Sequence, residues 1–246
     1  MPYCSVLTKS TGINPRVWGP LMWRLMHAIA WGWEKRRTTM ISKQELHYWA
    51  KIHVLFFNSL TCLLPCKKCC THYAEIIRKN RLTVVNVLKP LGLPLWLYQV
   101  HLESRKKHDK SSPAFSVVSQ RYKGSAPNEH IWTTDGCHMA MFVACDAPLK
   151  FSKKSDMLAY KNFYQHLALL SPLSYQRDML SCVAMHIKKD MTRKALVEGV
   201  VRKIATWSLF KYGNTMQLLS MLPHWRKHVS SGAKSPICEY ITGLKK

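Results

Sequence analysis

The stretch LTCLLPCKKCCTHY, residues 60–73, contains a Cys-x-x-Cys pair, Cys66 and Cys69, directly after Pro65. Proline favours the start of a helix, where unpaired backbone N–H groups and the helix dipole stabilise a thiolate. The two lysines between the cysteines lower the thiol pKa further because they favour the anion. The pattern therefore indicates a dithiol pair suited to thiol–disulfide exchange.

Two other interpretations of these cysteines stay open. Cys66, Cys69 and His72 supply three candidate zinc ligands, although structural zinc usually takes four from two paired knuckles and the sequence has no second Cys-x-x-Cys. Burial of all the thiols is the other interpretation, although the neighbouring lysines place charge beside sulfur. Cys62 and Cys70 are interpreted as packing thiols.

A second candidate group lies on the first predicted helix. Gly19, Trp23 and His27 are spaced by four residues and so form one stripe along a helix. Gly19 removes a side chain where a flat ligand could approach the backbone, Trp23 offers a stacking surface, and His27 adds a polar group one turn further on. The alternative is that Trp23 belongs to the core and His27 is a satisfied or solvated histidine.

Apolar spacing predicts the elements that position these residues. The helical period predicts helices over 18–33 and 46–64, a third after Pro65 that ends near Asn80, and a fourth between Pro94 and about Lys107. Helical spacing returns at 155–170, 174–190 and 192–212, whereas residues 116–150 give no predicted element. The predicted core residues of this later part are Tyr160, Tyr164, Leu167 and Trp207.

The charged, serine-rich segment at 106–113 predicts a boundary. The chain then divides into residues 1–115 and a mostly helical extension, 116–246, and the fold class is mainly α.

Composition limits the partners and the compartment. The chain of 246 residues has 37 Lys and Arg against 13 Asp and Glu, a formal net charge of +24 that attracts nucleic acid, acidic proteins or anionic membranes. No secretory signal or apolar stretch of membrane-spanning length is visible, which predicts an intracellular protein. Without a signal, the nine cysteines indicate metal or redox chemistry rather than a structural disulfide framework.

Three blocks of the sequence together resemble the Erv/ALR family of FAD-linked sulfhydryl oxidases. They lie within residues 16–115, follow the family's order, and read Trp18-Gly19-Pro20-x-x-Trp23-x-x-x-His27, Leu64-Pro65-Cys66-x-x-Cys69-x-x-His72-Tyr73 and Trp96-Leu97-Tyr98-x-x-His101.

The resemblance implies a fold and a set of site residues. Residues 1–115 are expected to form a bundle of four or five helices that binds FAD, with the isoalloxazine against Cys69. The implied FAD contacts are Gly19, Trp23, His27, His72, Tyr73, His101 on the adenine and ribose side, and Lys110 at the phosphates. The third block departs from the family's His-Asn-x-Val-Asn pattern, because Leu102 and Arg105 stand at the asparagine positions.

The resemblance also implies a reaction and partners. A protein dithiol would attack Cys66, Cys69 would pass two electrons to FAD, and O₂ would be reduced to H₂O₂. The family implies a homodimer, or an internal pseudo-dimer if residues 116–246 form a degenerate second bundle; this region is alternatively a partner-binding module. The divergent third block and long extension look like versions encoded by large DNA viruses, which predicts the host cytoplasm or nucleus, and the virion, as locations.

The remaining cysteines bear on whether an additional shuttle pair exists. Cys4 lies on a candidate N-terminal arm without a neighbouring partner, and Cys137 and Cys145 are too far apart to pair if they share one helix. Cys182 and Cys238 are interpreted as structural or free thiols. Direct oxidation of substrate by Cys66 and Cys69 is therefore the prediction.

Overall fold

A computed structural model describes residues 13–106, 112–123 and 131–212, with side chains up to residue 206. Helices form almost all of it, which confirms the mainly α prediction. Their bounds are α1 Pro15–Arg37, α2 Lys43–Leu63, α3 Lys67–Lys79, α4 Val84–Leu88, α5 Gly92–Lys106, α6 Phe115–Lys123, the π-helix π1 Ile131–Gly136, α7 Cys137–Cys145, α8 Lys154–Leu170, α9 Ser174–His186 and α10 Arg193–Tyr212. None of the described helices is both long and apolar enough to cross a membrane.

The start of α1 is fixed by local chemistry. Asn14 caps the helix through its side chain, which accepts a hydrogen bond from the backbone N–H of Arg16 at 3.0 Å, and Pro15 occupies the first helical position. Basic residues fill the last turn, where they complement the helix dipole. These signals extend α1 beyond the apolar pattern on which the prediction of residues 18–33 rested.

Helix α2 lies at the centre of the molecule and packs against α3, α4 and α8. Trp33 of α1 donates a hydrogen bond from its indole N–H to the carbonyl of Val87 at 2.9 Å, which joins α1 to α4. The α4 helix was not predicted, because five residues are too few to show a period.

One continuous apolar core runs from the first helices into α7, α8, α9 and α10. Phe56 of α2 lies 6.1 Å from Phe163 of α8, centroid to centroid, and the hydroxyl of Tyr164 donates to the carbonyl of Ala140 at 2.7 Å. Tyr160, Tyr164 and Leu167 are buried, as predicted, whereas the Trp207 side chain lies outside the described residues. The division at residue 115 stays a prediction, and contacts cross it.

Residues 116–123 and 131–145 are helical, although no element was predicted there. The α7 sequence CHMAMFVAC is buried on almost every side, so it has no polar face to produce an amphipathic period. A π-helix precedes it, and its wider turn also departs from the ordinary period.

An ion pair between the half-exposed Arg24 and the buried Asp135 joins α1 to π1. Both oxygens of the Asp135 carboxylate accept hydrogen bonds from Arg24, at 2.8 and 2.9 Å, and the hydroxyl of Thr134 donates to the same carboxylate at 3.2 Å. The Asp135 side chain is 2% exposed. A buried carboxylate is stabilised only while its charged partner remains.

Replacing Arg24 with alanine should therefore destabilise the fold. The substitution leaves the Asp135 carboxylate buried without its cation, which costs about 2–3 kcal/mol of unfolding free energy. The expected fall in Tm is roughly 4–12 °C, measured by circular dichroism. Lys150→Ala is the control, since Lys150 and Asp190 form an exposed pair whose loss costs less than about 1 kcal/mol. Equal losses in the two variants would contradict the prediction.

Candidate active site

Cys66 and Cys69 form a disulfide at the start of α3, with their Cα atoms 5.2 Å apart. Cys66 is the N-cap residue of the helix, and its sulfur accepts a hydrogen bond from the backbone N–H of Cys69 at 3.3 Å. Pro65 precedes the cap, so α3 begins at Lys67 and not at the proline itself. Both cysteines are half-buried, which leaves the pair accessible from one side.

The residues that flank this disulfide in the first turn of α3 are positively charged. Lys67 and Lys68 are exposed, and the first turn of α3 carries no acidic residue. The helix N-terminus adds a partial positive charge of its own. Together these charges stabilise the thiolates that form when the disulfide is reduced.

Cys70 is adjacent to the pair in sequence but chemically separate from it. Its thiol is buried and donates to the carbonyl of Leu64 at 3.2 Å, and burial raises the pKa of Cys70 to about 12. A thiol in this condition is almost entirely protonated near neutral pH and exchanges slowly. This agrees with its interpretation as a packing thiol.

A cluster of three rings connects α1 to α5. The rings of Trp23 and His101 are stacked in parallel, with centroids 3.9 Å apart and an interplanar angle of 3°. The Nε2 atom of His27 lies 3.3 Å from the Nδ1 atom of His101. The structure thus brings together residues from the first and third sequence blocks.

A cavity of about 170 Å³ lies beside this cluster, between α1, α5 and α6. His27 and His101 line it together with Tyr122, whose ring is 5.2 Å from that of His27, and with Arg105 and Arg121. Sequence reasoning missed Tyr122 and Arg121, because they lie on a helix that showed no recognisable pattern.

Burial keeps both histidines of the cluster neutral. Burial lowers the pKa of His27 to about 3, with further lowering by His101 and Arg121, and lowers that of His101 to about 4, with a contribution from Arg105. The Nδ1 atom of His27 is buried and has no hydrogen-bond partner among the described residues. The cavity therefore combines neutral imidazoles with two arginines, a setting that suits an aromatic ligand with anionic groups.

The other predicted site residues are placed differently. A Cβ atom at Gly19 would meet nothing within 4 Å, so no protein contact demands glycine there. His72 is half-buried on α3, whereas Tyr73 is buried and its hydroxyl donates to the carbonyl of Phe57 at 3.2 Å. Lys110 lies outside the described residues.

Helix α5 contacts both α3, which carries the disulfide, and α1, which carries Trp23 and His27. Helix α3, which carries the disulfide, packs against α2 and α5, and α5 carries His101 into contact with α1. Phe57 of α2 and Trp96 of α5 meet edge to face at 5.2 Å, and the indole N–H of Trp96 donates to the carbonyl of Asn80 at the end of α3. These contacts hold α3 against α5.

Within 13–106, 112–123 and 131–212 no group of three or more His, Cys, Asp or Glu side chains is arranged to hold a metal ion. Cys137 and Cys145 share the helix α7 and are free thiols, as is Cys182 on α9. Cys4 and Cys238 lie outside the described residues.

The fold and the site define a class: a helical protein with a disulfide at a helix start and, between α1, α5 and α6, a pocket lined by two neutral histidines. Residues 20–123 match the model of the Erv1 / Alr family. This matched part, the family segment, is similar to that family and makes up less than half of the chain. The match ends at the last residue of α6, so it includes the cavity residues Arg121 and Tyr122.

One curated relative comes from a giant virus. A protein of Acanthamoeba polyphaga mimivirus named "Probable FAD-linked sulfhydryl oxidase" is 32% identical over 89 residues, which are 36% of this chain and 57% of the relative. The chain thus spans little more than half the length of that relative. No solved structure matches the chain significantly.

Buried histidines make the stability of the fold depend on pH. Burial lowers the pKa of His53, whose Nδ1 atom lies 2.7 Å from the carbonyl of Trp49, to about 4. The unfolded chain binds a proton near pH 6.5. The contribution of neutral His53 to the unfolding free energy is complete above pH 6.5. It is lost as pH falls toward 4, by about 1.4 kcal/mol per pH unit.

His53→Gln should therefore flatten the fall in unfolding free energy between pH 6.5 and 4.5, as measured by urea denaturation. Glutamine does not bind a proton in this pH range, so the unfolded state of the variant takes up one proton fewer relative to the folded state. His47→Gln, at an exposed position of α2, is the control and should keep the wild-type slope. An unchanged slope in His53→Gln would contradict the prediction.

Proposed function

We propose that this protein is a FAD-dependent sulfhydryl oxidase that forms disulfides in protein dithiols. The observation that carries the proposal is the Cys66–Cys69 disulfide at the N-cap of α3, in a chain whose family segment also assembles the Trp23, His27 and His101 ring cluster. The mimivirus relative named as a FAD-linked sulfhydryl oxidase supports the same reaction class.

The residues around the cavity fit FAD chemically. Trp23 is stacked on His101, which lines the cavity, and the buried Nδ1 atom of His27 has no hydrogen-bond partner among the described residues, so a polar atom of the flavin ring could supply one. Arg105 and Arg121 line the cavity and would neutralise the diphosphate, a role that the sequence assigned to Lys110. A cavity of about 170 Å³ accommodates part of a dinucleotide, because whole-ligand sites usually enclose about 300–1,000 Å³.

The chain's own chemistry is thiol exchange at Cys66. A substrate thiolate attacks the Cys66 sulfur, a substrate–Cys66 disulfide forms, and Cys69 leaves as a thiolate. The second substrate thiol then attacks this mixed disulfide, which releases oxidised substrate and leaves both Cys66 and Cys69 reduced. The helix N-terminus and the flanking lysines stabilise the leaving thiolate.

FAD would supply two-electron redox chemistry between the reduced Cys66–Cys69 pair and O₂, so that one substrate dithiol and one O₂ would give one substrate disulfide and one H₂O₂. The protein supplies positioning and thiol tuning. His27 and His101 remain neutral near pH 7, and their mutual contact uses one ring nitrogen of each, which leaves the buried Nδ1 atom of His27 as donor or acceptor for a flavin ring.

Several finer points remain part of the proposal. Residues 116–246 form either an internal pseudo-dimer partner for the first bundle or a partner-binding module, and a homodimer of whole chains is the alternative. The mimivirus relative supports a viral type of enzyme that acts in the host cytoplasm or nucleus. The net charge of +24 supports contact with polyanions.

The purified protein should be yellow, and its flavin absorption should bleach when a dithiol is added without oxygen. Cys66→Ser and Cys69→Ser should each keep the bound flavin but lose dithiol-driven bleaching and oxygen consumption by at least about 100-fold, because neither retains an exchangeable disulfide. Absorption spectra and an oxygen electrode measure both quantities.

Cys70→Ser is the matched control, since it removes a neighbouring thiol that is buried outside the pair; it should retain activity. Full oxygen consumption by Cys66→Ser or Cys69→Ser would overturn the mechanism. A colourless protein with one equivalent of zinc would favour the alternative of a zinc-stabilised basic module using Cys66, Cys69 and His72.

A further inference from the structure

The sequence stretch around the disulfide has few carboxylates, and from outside it Asp146, at the end of α7, contributes in addition to burial to the raised pKa of Cys70. Between Glu45 and Glu103 the sequence contains one acidic residue, Glu75. The Lys and Arg side chains of the same stretch are all exposed, and none forms an ion pair with another described residue: Lys51, Lys67, Lys68, Arg78, Lys79, Arg81 and Lys89. Their charges are therefore available to a partner.

Elsewhere, carboxylates of the described residues neutralise nearby cations. Glu34 pairs with Arg37, Asp135 pairs with Arg24, and Glu103 pairs with Lys106. From α2 to the start of α5, which includes the disulfide, none of the exposed cations has such a carboxylate partner among the described residues. Two of these cations, Lys67 and Lys68, lie between the reactive cysteines themselves.

We propose that this basic surface selects substrate proteins whose dithiol is flanked by acidic residues. The inference rests on the proposed oxidase function and adds the substrate class. A dithiol must bring its sulfur to Cys66, so its neighbouring residues come close to Lys67 and Lys68. Acidic neighbours are attracted at that distance and basic neighbours are repelled, which changes the rate of productive encounter.

The same lysines also counteract the raised thiol pKa of such substrates. Carboxylates next to a thiol raise its pKa and so reduce the thiolate fraction that can attack a disulfide. When the two surfaces meet, Lys67 and Lys68 offset the carboxylates and favour the attacking thiolate. One sulfur–sulfur bond is exchanged for another, and the departing electrons stay on the Cys69 thiolate.

The test compares three peptides that share one Cys-x-x-Cys core and carry Asp, Ser or Lys at the flanking positions. Oxygen consumption by the flavin-loaded enzyme gives kcat/KM for each, and dithiothreitol serves as the uncharged reference. At about 20 mM salt we expect the acidic peptide to exceed the basic one by roughly tenfold or more. At about 0.5 M salt the ratio should fall below about twofold, because the Debye length becomes a few Å.

Two lysine variants locate the effect. Lys67→Gln with Lys68→Gln should reduce the acidic-to-basic ratio, normalised to dithiothreitol, to less than about threefold. Lys188→Gln with Lys189→Gln removes the same charge from an exposed pair in the connection between α9 and α10, and should leave the ratio unchanged. Equal kcat/KM for the three peptides, or an equal loss in both variants, would overturn the inference.

A capture assay separates this inference from the oxidase proposal. In Cys69→Ser the remaining Cys66 thiol displaces thionitrobenzoate from a peptide–thionitrobenzoate disulfide, and the yellow product reports the rate without flavin or oxygen. The double variant Cys66→Ser with Cys69→Ser gives the blank for the other thiols. Charge-dependent capture without dithiothreitol oxidation would defeat the oxidase proposal alone, whereas oxidation with charge-independent capture would defeat the substrate class alone.

Discussion

The contact between His27 and His101 is the interaction on which the rest of the site depends. It joins α1 to α5 at 3.3 Å, and it requires that at least one of the two imidazoles is neutral. Two protonated rings at that distance would repel each other, and burial prevents this by lowering the pKa of His27 to about 3 and that of His101 to about 4. Packing of α1 against α5 therefore sets the protonation of the pocket, and the neutral pair in turn permits the packing.

Cys66 also has two roles, as a member of the disulfide and as the N-cap residue of α3. Its backbone begins α3, and its sulfur accepts the N–H of Cys69, a contact that serves as a helix cap. Reduction of the disulfide turns this acceptor into an anion if Cys66 is the thiolate, and a charged acceptor strengthens the capping bond. The cap thus survives both redox states, so α3 need not unravel during exchange.

The sequence predicts the elements with a clear period and misses those without one. Helices α1, α2, α3 and α5 were recognised because apolar residues recur every three or four positions, and their caps refine the ends. Buried α7 and five-residue α4 offer no such period.

The same limit applies to the candidate site. The Trp23 and His27 stripe follows from local spacing, but the parallel stack of Trp23 on His101 depends on how α1 meets α5, which no local pattern specifies. His101 entered only through the family resemblance. Tyr122 shares its pocket with residues from distant parts of the chain, and its role became visible only once α6 was placed.

The family segment ends at residue 123, yet the helices beyond it support the part that carries the site. Asp135 holds Arg24, the residue next to Trp23 on α1, and Phe163 covers Phe56 on α2. Removal of these helices would expose apolar faces of α1 and α2 to water and leave Arg24 without its carboxylate. In this protein the geometry of the pocket is therefore a property of a core that extends well past the family segment.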